Sequence, residues 1–171
     1  SKEGHYYHQE VIFPQLKKWL KLKKEDAVLD VGCGQGVLAR HLPKGITYYG
    51  VDLAPSLIEK AKEHSPSGQF FVRDAAKALE LDRKNFSHAT FILSLQNMEK
   101  PDQAILQAST CLKMGGKLIL VLNHPCFRIP RQSHWDIEPE KKLQSRKVDR
   151  YMSPMEIPIN MHPGVTYSYH F

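Results

Sequence analysis

Cysteine is scarce in this sequence: Cys33, Cys111 and Cys126 are three in 171 residues. An odd count without a C-x-x-C pair supplies neither a disulfide framework nor a zinc site. A reducing cytoplasm is the compartment that fits such usage. Long apolar runs are lacking too, since no uncharged stretch reaches the roughly 18 residues of a membrane helix. The nine histidines do not gather at metal-ligand spacing, so no metal is expected. Ser1-Lys2-Glu3-Gly4 has neither an initiator Met nor a signal-peptide pattern and reads as a trimmed terminus. Charge of one sign does not dominate: 24 basic and 18 acidic side chains give +6. The one dense run, Lys17, Lys18, Lys21, Lys23 and Lys24, interleaves with Leu16, Trp19, Leu20 and Leu22. That is the wet face of an amphipathic helix. A nucleic-acid footprint needs a basic stripe fed by several elements, so nucleic acid is not the expected partner.

What remains is ordinary globular material, with 42% hydrophobic and 25% charged residues. The length fits one domain able to bury a core without disulfides or metals. Over residues 1–122 two periodicities alternate. Val11, Ile12, Leu16, Trp19 and Leu20 follow helical spacing, and Ala27–Val31 is a short apolar run ending at glycines. Val37–Leu42 suits a helix stopped by Pro43, and Ile46–Val51 a strand. Pro55–His64 reads as a helix with Pro in its first turn, Gln69–Val72 and Ala89–Leu95 as strands. Pro101–Leu112 is a further helix, with Ile105, Leu106 and Leu112 on its apolar side, and Lys117–Leu122 a fifth strand. Strands alternating with helices imply an α/β, doubly wound, mostly parallel sheet with helices on both faces. Ligands in such sheets bind beyond the carboxyl ends of the strands. That rule points at Asp30–Gly36, Asp52, Asp74 and Ser94.

Composition changes at Asn123. Pro125, Pro130, Pro139, Pro154, Pro158 and Pro163 crowd the remainder, around a charged stretch Glu140–Arg150. Only Val165–Phe171 alternates convincingly as a strand, and the pattern runs to the last residue, so the chain is expected to continue. The expected organisation is a core at 1–122 and a Pro-rich cap or extension of the same domain at 123–171, apparently truncated. Loops beyond the ligand edge commonly form lids, and this segment carries His134, Trp135, Tyr151, Met155 and His162.

Val28-Leu29-Asp30-Val31-Gly32-Cys33-Gly34-Gln35-Gly36 runs from strand towards helix. Gly32 and Gly34 permit a tight turn and close backbone approach to a ligand. Asp52, about 20 residues beyond Gly32, ends the next strand where a carboxylate can accept from ribose hydroxyls. A dinucleotide fingerprint would want Gly or Ala where Val37 stands, and no Gly-Lys-Ser/Thr follows as a P-loop requires. Asp30 adds a carboxylate that suits a cationic ligand better than a pyrophosphate.

This segment resembles the first motif of the class I S-adenosylmethionine-dependent methyltransferases, and is similar to the small-molecule, type 11 group. Tyr49-Gly50-Val51-Asp52-Leu53-Ala54 resembles the second motif, Val72-Arg73-Asp74-Ala75 the third, and Phe91-Ile92-Leu93-Ser94-Leu95 the fourth strand and its end. Leu112-Lys113-Met114-Gly115-Gly116-Lys117-Leu118 resembles the turn before strand five, with Met114 for the usual Pro. The resemblance covers about residues 5–122. It implies a Rossmann-like fold, S-adenosylmethionine as cofactor and methyl transfer to a small-molecule acceptor. By the same resemblance Asp30 and Gly32, with Cys33 and Gly34 in the loop, hold the methionine end. Asp52 takes the ribose, Leu53 packs on the adenine, and Asp74 with Ala75 faces it. Ser94 and Leu95 bound the substrate pocket, and Tyr6, Tyr7 or His8 closes over the cofactor.

Asn123-His124-Pro125-Cys126-Phe127 resembles a segment of small-molecule members, which makes His124 a candidate base or substrate ligand. Ser94-Leu95-Gln96-Asn97 departs from the Asn/Asp-Pro-Pro-Tyr pattern of base-amine methylation. Two alternatives stand beside the enzyme: a non-catalytic cofactor-binding scaffold and an RNA-modifying methyltransferase. The family pattern, strand order 3-2-1-4-5-7-6, further implies an antiparallel strand pair that this chain does not complete.

Overall fold

The computed structural model describes residues 6–124, 133–162 and 165–170. Its frame is a five-stranded sheet in the order β3-β2-β1-β4-β5. The strands are β1 (Ala27–Val31), β2 (Thr47–Asp52), β3 (Gln69–Val72), β4 (Phe86–Ile92) and β5 (Leu112–Val121). All neighbours run parallel, as the alternation of strands and helices requires. The Rossmann-like expectation is borne out. β1 lies at the centre and is buried along its whole length, which explains an apolar run interrupted only by Asp30.

Side-chain alternation splits the core between the two faces. Val28, Tyr48 and Phe70 face α1 (Phe13–Leu20) and α2 (Pro55–His64), packing with Leu16, Leu20, Ile58 and Ala61. Leu29, Val31, Tyr49 and Phe91 face the other way, against Ala104 and Ala108 of α3 (Pro101–Thr110). Those alanines, rather than Leu106, let α3 approach; Leu106 is exposed. In α1 and the turn before it the same correction applies, because Val11 and Trp19 are exposed while Phe13 takes the inward position. Pro14, in the first turn of α1, has no N–H to give, and the preceding turn His8–Ile12 widens so that Phe13 N–H reaches the His8 carbonyl.

Two expectations fail in instructive ways. Val37–Leu42 is no α-helix: only a 3₁₀ turn, Leu38–His41, forms between Gly36 and Pro43. Glycines at positive φ on one side and proline on the other leave too few residues to propagate a helix. β5 begins at Leu112, not Lys117. Leu112 pairs Phe86 and Lys117 pairs His88, with the Gly115–Gly116 turn bulged between them.

The segment after Asn123 is richer in strands than its composition suggests. β6 (Ser133–Glu138) and β7 (Leu143–Val148) form an antiparallel hairpin, as do β8 (Met155–His162) and β9 (Val165–His170). The charged stretch is therefore a strand, held by cross-strand pairs instead of a core. Lys147 Nζ meets Asp136 at 2.6 Å and the Arg146 guanidinium lies 5.3 Å from the Trp135 ring centre. Pro158 sits where the β8–β9 register slips, a position that spares the ladder. β9 packs against the 3₁₀ turn Leu95–Asn97, just past β4. The hairpin thus lies over the carboxyl end of the sheet. Among the described residues no helix is long and apolar enough to cross a membrane, and no cluster of possible metal ligands forms.

Candidate functional site

The carboxyl ends of β1, β2 and β4 converge on the glycine loop. Gly32 and Gly34 both adopt positive φ, +72° and +54°. Gly32 N–H and Cys33 N–H both donate to the Val51 carbonyl, at 2.8 and 3.0 Å, which folds the loop back over the end of β2. A Cβ on Gly32 would stand 2.4 Å from Ser94 Cβ, so β1 and β4 approach here only because the side chain is missing. Ser94 Oγ donates to the Val31 carbonyl at 2.7 Å and completes the stitch. Gly34 is different: nothing lies within 4 Å of where its Cβ would be. One glycine makes the turn and the other borders open space.

Asp52 is bonded both within its own turn and across to the glycine loop. Its Oδ2 accepts from Gly34 N–H and its Oδ1 from Ala54 N–H, each at 2.9 Å. The carboxylate is fixed in plane, with acceptor capacity left on both oxygens. Leu53 follows it, 62% exposed, a large apolar side chain beside an oriented anion. Asp30 is the opposite case. It is buried, its Oδ1 accepting from Thr90 Oγ1 at 2.7 Å and its Oδ2 from Tyr48 Oη at 2.8 Å. Burial pushes its carboxyl up to about 6, the two hydroxyls oppose that rise, and Asp52 adds to it.

The remaining positions expected from sequence fall into separate groups. Cys33 Sγ lies between the loop and β2: it donates to the Gly34 carbonyl at 3.7 Å, and a Cβ on Gly50 would meet it at 2.8 Å. Burial, then the Asp30 and Asp52 charges, hold that thiol well above its ordinary range. Asp74 closes a tight turn: Oδ1 accepts from Ala76 N–H at 3.0 Å, and Lys77 Nζ stands 3.4 Å from Oδ2. Ala75 packs on the core from the partly buried side, and Leu95 is buried in it. Tyr6 and Tyr7 are exposed on the first helical turn, whereas His8 tilts against Phe13 at 5.8 Å. His124 is exposed three residues past β5, and Pro125, Cys126, Phe127 and Pro130 lie outside the described residues. His134, Trp135 and Tyr151 are exposed in the β6–β7 region. The loop itself is therefore assembled from Gly32, Gly34, Asp52 and Ser94, with Asp30 beneath it.

Several contributors carry no motif. Tyr48 and Thr90 bracket Asp30 from the two neighbouring strands, and period-two alternation puts both on its face. Arg40 Nη1 donates to the Gln35 carbonyl at 2.8 Å and braces the outer arm of the loop. Leu93 adopts φ +53° at the end of β4, a left-handed residue of a type that rarely takes that region. Its carbonyl accepts from Asn97 Nδ2 at 3.3 Å, which helps hold the conformation.

Comparison with known proteins agrees with this frame. A family model described as Methyltransferase domain matches residues 29–120, which contain the loop, Asp52, Asp74 and Ser94. A ubiquinone biosynthesis O-methyltransferase from Coxiella burnetii is 36% identical over 95 residues, 53% of this chain and 41% of that protein. The chain thus spans about two-fifths of the length of the curated relatives it matches. Among solved structures, an S-adenosylmethionine dependent methyltransferase from Mesorhizobium loti superposes with TM-score 0.77 at 21% identity, covering 100% of this chain and 77% of that one. A protein from Pyrococcus horikoshii does so with TM-score 0.65 at 24% identity, over 99% and 91%. These likenesses establish the fold, while the family match rests on the motif-bearing residues. The chain belongs to the methyltransferase domain family, as the resemblance of its motifs to the class I enzymes implied.

Proposed function

We propose that this chain binds S-adenosylmethionine across the ends of β1 and β2 and transfers its methyl group to a small-molecule acceptor. The observation that carries the reading is the pairing of the open face of Gly34 with the oriented Asp52 carboxylate. The residues fit the cofactor. Asp52 suits a ribose diol, exposed Leu53 suits an adenine face, and buried acid at Asp30 favours a ligand with positive charge. When bound, S-adenosylmethionine supplies a sulfonium methyl for in-line displacement, with a neutral thioether as leaving group.

The chain's own task is then alignment and exclusion of water, which can supply roughly 7–11 kcal/mol of a barrier. Ser94, committed to the Val31 carbonyl, forms a rigid wall instead of a proton carrier. The β8–β9 hairpin, seated on Leu95–Asn97, caps the acceptor side. The name of the curated relatives supports a hydroxyl acceptor, whose proton must leave. His124, three residues past β5, is the residue we assign to receive it. Sparse cysteine supports a cytoplasmic setting.

The test is formation of S-adenosylhomocysteine by the full chain against a panel of phenols, catechols and aliphatic alcohols. Product with at least one hydroxyl acceptor is expected. Tight cofactor binding with no product from any acceptor supports the scaffold alternative instead, and product only with RNA supports the RNA-modifying one.

A further inference from the structure

Asp30 lies beneath the glycine loop, and its environment is unusual for a carboxylate. The side chain is 3% exposed, yet each oxygen accepts a hydrogen bond from a hydroxyl on a different neighbouring strand. Tyr48 is 5% exposed and Thr90 fully buried, so neither hydroxyl is available to a ligand. We propose that Tyr48 and Thr90 are positioning residues: they hold Asp30 ionised and fixed in orientation under Gly32, and cofactor affinity depends on both. This rests on the proposed S-adenosylmethionine site.

Asp30 pairs Gly50 on one side and Thr90 on the other, and Gly50 has no side chain to offer. Tyr48 therefore reaches diagonally from one pleat earlier in β2. Two short charge-assisted bonds at 2.7 and 2.8 Å replace the water that burial removed. Among the described residues, the groups facing this side offer no direct counter-charge. β2 supplies Tyr48 and Asp52, the loop Cys33, and β4 Thr90 and, one pleat back, His88, which bonds Ser87 Oγ at 2.9 Å. The 3₁₀ turn supplies Arg40, whose field acts on Tyr48, and His41, stacked on Phe13 at 4.2 Å. From α1 and α2 come Phe13, Leu16, Leu20, Ile58 and Ala61, all apolar. Without its hydroxyl clamp the carboxylate would take a proton and lose its charge, and a cationic ligand above it would lose a partner.

The experiment compares wild type, Tyr48→Phe, Thr90→Val and Thr90→Ser. Tyr48→Phe keeps the ring contact with Phe70, 5.5 Å between centres, and Thr90→Ser keeps the donor. Carbon-13 NMR follows the Asp30 carboxyl in ligand-free protein, and calorimetry follows S-adenosylhomocysteine and S-adenosylmethionine binding from pH 5 to 8. Wild type is expected to titrate at about 6, with the two deletions higher and Thr90→Ser close to wild type. S-adenosylmethionine affinity should fall about tenfold in each deletion at neutral pH and by less than about twofold in Thr90→Ser. Its pH midpoint should move up with the carboxyl. Unmoved titration in both deletions, or moved titration with unchanged affinity, overturns the inference. Absence of cofactor binding by folded wild type at every pH overturns the proposed function itself, and the NMR titration still reports whether the clamp exists. Should one deletion fail to fold, the other with Thr90→Ser decides the outcome.

Discussion

Gln96 and the Asn123 backbone exchange two hydrogen bonds: Asn123 N–H donates to Oε1 at 2.9 Å, and Nε2 donates to the Asn123 carbonyl at 3.1 Å. The side chain acts as a short piece of strand, extending the pairing of β4 and β5 beyond their last ladder residues. It fixes the chain at the residue immediately before His124. Gln96→Ala is expected to cost about 2 kcal/mol, two net hydrogen bonds, as a lowered melting temperature. Amide exchange at Asn123 and His124 should quicken while that of β1 stays slow. Unchanged exchange at those two amides would show that something else anchors the segment.

The two loop glycines separate stability from ligand binding. Gly32→Ala must place a methyl at left-handed φ and against Ser94, at roughly 2–5 kcal/mol. Gly34→Ala meets no atom within 4 Å, so only the backbone strain of about 1–2 kcal/mol applies. The first variant should unfold at markedly lower denaturant. The second should fold and bind S-adenosylhomocysteine poorly, because its methyl fills the open face. Equal denaturant midpoints for the two would contradict this division of roles.

Asp30 sets a pH dependence of stability whose sign follows from its raised carboxyl. A folded value of about 6 against an ordinary 3.8 means the native state binds the proton more tightly. This group's contribution is fully present below 3.8 and is lost as pH rises through about 6. By the conversion of 1.36 kcal/mol per pH unit, the loss is on the order of 3 kcal/mol. Asp30→Asn should flatten that part of the profile. Denaturant unfolding at half-unit pH steps between 4 and 7 measures it, and parallel profiles for the two proteins would refute the assignment.

Cys33 should be chemically silent although it occupies the loop. Its sulfur is packed over Gly50 and its thiol is held protonated by burial and by two acids. Mass mapping after iodoacetamide treatment of native protein at pH 8 should find Cys33 unmodified, and modified once guanidinium is added. Rapid native labelling would place the sulfur in the cleft.

The sheet was legible because its signals are local. Pro55–His64 and Gln69–Val72 match their elements end to end, since proline, glycine and the change of period mark both boundaries. Val37–Leu42 misled because periodicity alone does not show how little length the flanking Gly36 and Pro43 leave. β6 and β7 escaped because a hairpin exposed on both faces has no hydrophobic alternation to betray it. Trp135 opposite Arg146 and Asp136 opposite Lys147 are cross-strand partners visible only once the register is known. The same holds at the site. Asp52 and the glycines declare themselves by spacing, whereas Tyr48 and Thr90 reach Asp30 only through a strand order, β2-β1-β4, that sequence neighbours cannot express.

The central claim is that Asp52 and the open loop beside it form a nucleoside-binding site, and calorimetric titration with S-adenosylhomocysteine tests it most directly. Folded wild type should bind at one site, and Asp52→Ala at least about tenfold more weakly, a loss of about 1.4 kcal/mol. Equal affinity in the two proteins, or no binding by folded wild type, would contradict it.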